Sequence, residues 1–207
     1  MSQQELSYAE GWEAVYGRGR TAFDVDEPLP WVVALADAGR IHGRVLDAGC
    51  GGGHNALFLA RRGHAVVGVD VAPTAVARAR SKAEKLGVPA EFMVGELVNP
   101  TGLPDDFGTA IDIGCFHSLY PEDRSRYAAV LHGACRPGAL LHLRCFSDRN
   151  QPGFAGPGTK GISGAELEEA FGSGWDVEDL TAGEDDVFVP ERRTVQFWYA
   201  TMVRRPS

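Results

Sequence analysis

Two carboxylates and three glycines bracket one short stretch of this chain: Asp47, Gly49, Gly51 and Gly53, then Asp70. Glycine at alternate positions lets the backbone take positive φ and come close to a ligand, with peptide N–H groups left facing it. Asp70 follows the apolar run Ala65-Val66-Val67-Gly68-Val69. Its carboxylate therefore emerges at the carboxyl end of a strand, where an acid accepts two hydrogen bonds from a ribose diol. The chemistry so described is recognition of a ribose-bearing ligand.

The register of the glycines leaves two ligands open. A dinucleotide fingerprint begun at Gly49 needs glycine where His54 stands, whereas a start at Gly51 fits the permissive G-x-G-x-x-A form through Ala56. Asp47 favours the other ligand, because an acid two residues before Gly49 suits an ammonium and repels a pyrophosphate. S-adenosylmethionine carries that ammonium, a sulfonium and no phosphate. The plainer readings are a strand-end turn residue for Asp47, a helix cap for Asp70 and tight-turn glycines between them.

On these residues the chain resembles the class I S-adenosylmethionine-dependent methyltransferases, whose first motif, D-x-G-x-G-x-G, is matched by Asp47, Gly49, Gly51 and Gly53. Trp12, Phe23-Asp24, Glu27-Pro28, Pro30-Trp31, Phe116-His117 and Phe146-Ser147-Asp148 resemble the thiopurine-methyltransferase-like branch, which methylates thiol, hydroxyl or ring-nitrogen groups of small molecules. The resemblance implies S-adenosylmethionine as cofactor and S-adenosylhomocysteine as product. It also implies that Glu96 and Leu97 lie beside the adenine, with glutamate in place of the more frequent aspartate, and that Trp12 and Trp31 form a lid. Cys50, Val71 and Cys115 complete the expected cofactor contacts. Gly108 departs from the family, which often has aspartate after the equivalent of Phe107.

His117 is the catalytic candidate. Methyl transfer is an in-line displacement, so a protein aligns the nucleophile, excludes water and, for a phenol, removes a proton. A phenol of pKa ~10 is neutral at pH 7, and a histidine near ~6.5 is a suitable base. For an acceptor that is already a thiolate or an acidic hydroxyl, the same histidine only positions it. The bland alternative is a histidine satisfied in the core. Tyr16, Phe23, Tyr120, Phe154 and Trp198 are the expected aromatic contacts to the acceptor. Trp198 and Tyr199 adjoin on a strand and point to opposite faces, so at most one of them serves the pocket.

The elements that position these residues read as an alternation. Helical patterns over 3–16 and 29–38 flank a Gly17-Arg18-Gly19-Arg20 hinge. Then come a strand over 44–48, a helix over 53–62, a strand over 64–70, and a helix over 73–86 opened by Pro73 and closed by Gly87. Strands over 90–94 and 109–114, a helix over 121–135 and a strand over 138–146 follow. A helix over 163–171 has Ser163 and Glu166 in capping-box spacing. Strands over 175–182 and 194–203, separated by a turn at Glu184-Asp185-Asp186, pair as a terminal antiparallel hairpin. The expected fold is a Rossmann-like α/β sandwich with a mostly parallel seven-stranded sheet. It forms a single domain over 1–207, divided into an N-terminal helical cap (1–40) and a core (41–207). Residues 151–158 read as a mobile loop.

Composition agrees. At 207 residues, 44% hydrophobic and 23% charged, the chain suits one α/β domain. A formal net charge of −8 disfavours nucleic acid as partner. The cysteines at 50, 115, 135 and 145 lack C-x-x-C spacing and read as reduced thiols, and six scattered histidines give no metal site. The N-terminus lacks signal-peptide character and no stretch approaches the ~20 apolar residues of a membrane span, so a cytoplasmic protein is expected. The expected activity is methylation of a small, aromatic acceptor by a monomer or homodimer, at the oxygen of a phenol or hydroxy-heterocycle ahead of sulfur or nitrogen. The alternatives are an NAD-dependent oxidoreductase and a noncatalytic, partner-regulating protein on the same scaffold.

Overall fold

A computed structural model of the chain describes residues 7–19, 26–151, 161–188 and 192–206. Seven strands form one sheet in the order β3-β2-β1-β4-β5-β7-β6. They are β1 (Arg44–Ala48), β2 (Val66–Asp70), β3 (Ala90–Val94), β4 (Phe107–Ile113), β5 (Cys135–Phe146), β6 (Trp175–Phe188) and β7 (Arg192–Arg204). β1 to β5 pair in parallel, and β7 runs antiparallel to both β5 and β6. This is the expected mixed sheet with its terminal hairpin.

β1 and β2 are buried on both faces, which is why they read as unbroken apolar runs rather than as alternations. Helices supply the cover. On one face α5 (Arg124–Ala134) and α6 (Gly164–Phe171) pack Tyr127, Leu131 and Phe171 against Leu141, Leu143, Trp198 and Met202. On the other, α2 (Pro30–Asp37), α3 (His54–Arg61) and α4 (Pro73–Leu86) bring Val32, Leu59 and Val76 against Val45, Val66 and Ile111. α1 (Tyr8–Gly17) lies against α4 and starts with a capping box between Ser7 and Glu10.

The helix signals work as their chemistry dictates. Pro73 opens α4, Gly87 closes it at φ +63°, and Ser163 with Glu166 makes both bonds of a capping box at α6. The acidic triplet is a correction: Glu184, Asp185 and Asp186 are not a turn but rungs of β6, opposite Gln196, Val195 and Thr194. Their charges are tolerated on a strand because each carboxylate has a cross-strand or neighbouring donor: Gln196 for Glu184, Arg144 for Asp185, and Arg192 with Thr194 for Asp186. Among the described residues no helix is long and apolar enough to cross a membrane.

β1 stands between β2 and β4, so the strand order reverses beside it. Crevices open at the carboxyl ends of the strands at such a switch point, and the glycine turn sits there.

Candidate active site

The turn after β1 is built from glycines for three separate reasons. Gly49 has φ +73°, and a Cβ there would stand 2.7 Å from the Cys115 Cβ, in the turn after β4. Gly51 has φ +51°, and its Cβ would stand 2.8 Å from the Tyr16 hydroxyl of α1. Gly53, at φ +80°, is pressed between the Ala79 methyl of α4 and the Phe92 ring of β3. The first two glycines shape the crevice, whereas the third seats α3.

Three strand-end carboxylates hold the loops around this turn. Asp70 accepts the N–H of Gly51 at 2.8 Å and of Ala72 at 2.9 Å. Asp112 accepts the N–H of Cys115 at 2.8 Å and of Phe116 at 3.0 Å, together with the Tyr127 hydroxyl proton at 2.7 Å. Asp47 accepts the N–H of Ala56 at 3.1 Å. Burial raises all three acids, Asp47 to about 7 and Asp112 to about 6, and the neighbouring Asp70 and Asp112 charges add to the rise at Asp47.

Among the expected site residues, Trp12, Tyr16, Gly49, Cys50, Gly51, Asp70, Val71, Glu96, Leu97, Cys115 and His117 line one cavity. Five others do not. Asp47 is 2% exposed and turned beneath the start of α3, so it braces the loop rather than facing a ligand. Gly53 is spent on helix packing. Trp31 stands edge-on to Tyr199, with ring centroids 5.1 Å apart, and to His142 at 6.0 Å, on the Arg144 face of the sheet but outside the cavity wall. Tyr120 is exposed and lies against the Tyr8 ring. Trp198 is on the opposite sheet face, where its Nε1–H donates to the Ile162 carbonyl at 2.8 Å. Phe23 and Phe154 lie outside the described residues.

The cavity wall also contains Tyr8, Arg144, Phe146, Val187 and Phe197, which sequence reasoning missed as site residues. Tyr8 ties α1 over the cavity: its hydroxyl donates to Asp123 and accepts the Tyr120 N–H, each at 2.8 Å. Arg144 and Phe146 alternate along β5 and face Tyr199 and Phe197 of β7 across the register, so all four share one sheet face. The period-two pattern of both strands was the available signal, but only their register shows which face meets the cavity.

His117 sits in the short 3-10 turn Phe116–Ser118 after β4. Its ring stacks on Phe146 at 4.0 Å, and its Nδ1 accepts the Phe146 N–H at 3.2 Å. Burial, with the Arg144 and Arg124 charges, holds the imidazole down at about 3. It is therefore neutral, with its proton on Nε2. In that tautomer it donates a hydrogen bond and has no lone pair left for a substrate proton.

The residues fit an adenosyl cofactor without phosphate. Asp70 stands where a ribose diol needs an acceptor, Val71 and Leu97 give an apolar wall beside it, and the bare Gly49 and Gly51 backbone gives close approach. Among the described residues of the cavity wall, Arg144 is the one Lys or Arg, and it lies on β5, three strand spacings or ~14 Å from β2. Among the described residues of that wall, no Lys or Arg stands by the glycine turn to meet a pyrophosphate.

Comparison with known proteins agrees with this geometry. The model of a family described as "Methyltransferase domain" matches residues 45–138. A 2-heptyl-1-hydroxyquinolin-4(1H)-one methyltransferase of Mycobacteroides abscessus is 38% identical over 164 residues, covering 78% of this chain and 71% of that protein. A structure described with the conversion of a disulfide bond into a thioacetal group during echinomycin biosynthesis is 36% identical. It superposes with a TM-score of 0.85 over 95% of this chain and 93% of its own. At 22% identity the fold is shared with a 1,6-didemethyltoxoflavin N1-methyltransferase of Burkholderia thailandensis, with a TM-score of 0.73 over 96% and 87% of the two chains. The glycine turn, the acid at the end of β2, the sheet order and these relatives converge: the chain belongs to the class I S-adenosylmethionine-dependent methyltransferases.

Proposed function

We propose that this methyltransferase acts on the oxygen of a small, planar hydroxylated heterocycle or phenol. One observation carries the reading: Phe146, Phe197 and His117 form a contiguous aromatic wall in the same cavity as the glycine turn. A flat ring covers such a wall with its own face. S-adenosylmethionine supplies the electrophilic methyl group when bound. The chain's own contribution is to hold the acceptor against this wall, to keep water out with Tyr8, Trp12 and Tyr16 of α1, and to point Nε2–H of His117 at the acceptor atom. Residues 1–207 act as one domain in this reading.

The hydroxyquinolone relative supports oxygen, since its acceptor is a planar N-hydroxy heterocycle. Sulfur is the second reading, favoured by the similar structure connected with thioacetal formation. A screen with methyl-labelled cofactor against phenols, hydroxyquinolones, aryl thiols and ring-nitrogen heterocycles tests the proposal. The expected result is label on oxygen in the hydroxylated heterocycles. Label confined to nitrogen, or no label with any acceptor while S-adenosylhomocysteine binds, overturns it.

A further inference from the structure

At the acceptor end of the cavity the polar groups are donors, and this restricts the charge of what they receive. The Arg144 guanidinium lies 3.4 Å from the Phe197 ring centroid, and the Phe197 and Phe146 centroids are 5.1 Å apart. His117 stacks on Phe146 as well. Arg144 is only 9% exposed, with Nη2 donating to Asp185 at 2.8 Å and Nε to the Tyr199 hydroxyl at 3.3 Å. Its Nη1 has no protein partner among the described residues, although the residue lines the cavity. Nε2–H of His117 is a second donor there. The carboxylates of the wall, Asp70 and Glu96, belong to the cofactor end, on β2 and just after β3. Asp185 and Glu166 are engaged by Arg144 and Arg124 and are not part of the wall.

We propose that Arg144 and His117 form an anion subsite, and that the enzyme methylates planar aromatic acceptors whose hydroxyl or thiol reaches it already ionised. The inference rests on the methyl-transfer reading above and names its substrate class. Burial is the main reason that the His117 ring stays uncharged; the two guanidinium groups that add to the effect, Arg144 from β5 and Arg124 from α5, stabilise an anion placed beside it by the same Coulomb interaction. In the reaction a lone pair of the anionic oxygen or sulfur forms the bond to the methyl carbon. The carbon–sulfur bond breaks with its electron pair returning to the sulfonium sulfur, so an anion and a cation become two neutral products. No proton leaves the acceptor in this step, and no base is required of the protein.

The test is a spectrophotometric titration of 4-nitrophenol, whose ionised form is yellow, against the protein saturated with S-adenosylhomocysteine, with 4-nitrothiophenol as the sulfur arm. A charge-assisted hydrogen bond corresponds to at least about a tenfold preference for the anion, which lowers the apparent pKa of the bound phenol by about one unit. Arg144→Gln is expected to remove most of that preference, and Arg144→Lys to keep part of it. A bound phenol whose ionisation is unchanged or shifted upward overturns the subsite, and the wild-type measurement alone decides this if a variant fails to fold. In turnover, kcat/KM is expected to follow each acceptor's own ionisation. A limb shared by all acceptors and abolished in His117→Gln overturns the proposal in favour of a protein base. Transfer without the pKa shift sinks the anion subsite alone. The shift without transfer to any acceptor sinks the methyl-transfer reading, and the catalytic half of this proposal with it.

Discussion

The main-chain N–H of Phe146 donates to Nδ1 of His117 at 3.2 Å, so one hydrogen bond joins the end of β5 to the turn after β4 and decides which imidazole nitrogen carries the proton. The expected consequence is visible by nitrogen-15 NMR. His117 should show the Nε2–H tautomer and no titration between pH 8 and pH 5, consistent with a value near 3. A midpoint near ~6.5, the ordinary histidine value, contradicts the assignment.

Gly51→Ala should weaken cofactor binding and destabilise the fold together. The positive φ costs about 1–2 kcal/mol for a residue with a Cβ, and the new methyl meets the Tyr16 hydroxyl. Removing that hydroxyl with Tyr16→Phe should recover part of the S-adenosylhomocysteine affinity in the double variant, as read by calorimetry. No recovery would mean that backbone strain, rather than the α1 contact, dominates.

Phe197 and Trp198, both buried and on opposite sheet faces, should differ in their effect on the acceptor. Trp198→Ala empties a core position and removes the donor to Ile162, so a loss of about 3–5 kcal/mol is expected, seen as a lower denaturation midpoint. Cofactor affinity of the folded fraction should be unchanged. Phe197→Ala should destabilise as well, since its ring is buried, but should in addition raise the acceptor KM, because that ring is part of the cavity wall. The reverse pattern would place the wrong sheet face against the acceptor.

The pH dependence of stability should move in opposite directions in two variants. Asp112 has its folded value raised to about 6 from an unfolded value near ~3.9, so the native state holds the extra proton between them. Its contribution is complete below about pH 4 and is lost as pH rises through about 6. His117, depressed to about 3, has the opposite sign: the unfolded chain binds the proton, and stability falls as pH drops from ~6.5. Relative to the native protein, Asp112→Asn should therefore gain stability as pH rises from 4 to 6, and His117→Gln should gain as it falls over the same range. Each slope is at most ~1.4 kcal/mol per pH unit. Chemical denaturation at three pH values checks both.

The cofactor half of the molecule was legible in the sequence because its signals are local. β1, α4 and β3 have the bounds that apolar runs, Pro73 and Gly87 imply, and Gly49, Gly51 and Asp70 lie together because a strand, a turn and a helix are consecutive in the chain. The acceptor half depends on pairing between residues about fifty apart. Arg144 is an ordinary strand arginine until the register sets it opposite Tyr199 and beside Asp185. For the same reason Glu184-Asp185-Asp186 looked like a solvated turn, since their neutralising partners are on other strands. Asp47 was misplaced by a subtler competition: a strand-end acid next to a helix start meets an unsatisfied N–H before it meets a ligand.

β6 and β7 outrun the rest of the sheet. β5 ends at Phe146 opposite Phe197, while the two partners continue together as far as Phe188 and Arg192 and bring Val187 to the cavity. The overhanging ribbon is anchored to the sheet beneath it through the Arg144–Asp185 ion pair. In the proposed reading, the glycine turn that meets the donor and the ribbon that borders the acceptor are thereby separate segments of one polypeptide. Insertions, deletions or exchanges in the ribbon can redraw the outline of the molecule that is accepted while leaving the glycine bend intact, so descendants of this scaffold can diversify in what they modify without relearning how to hold the methyl source.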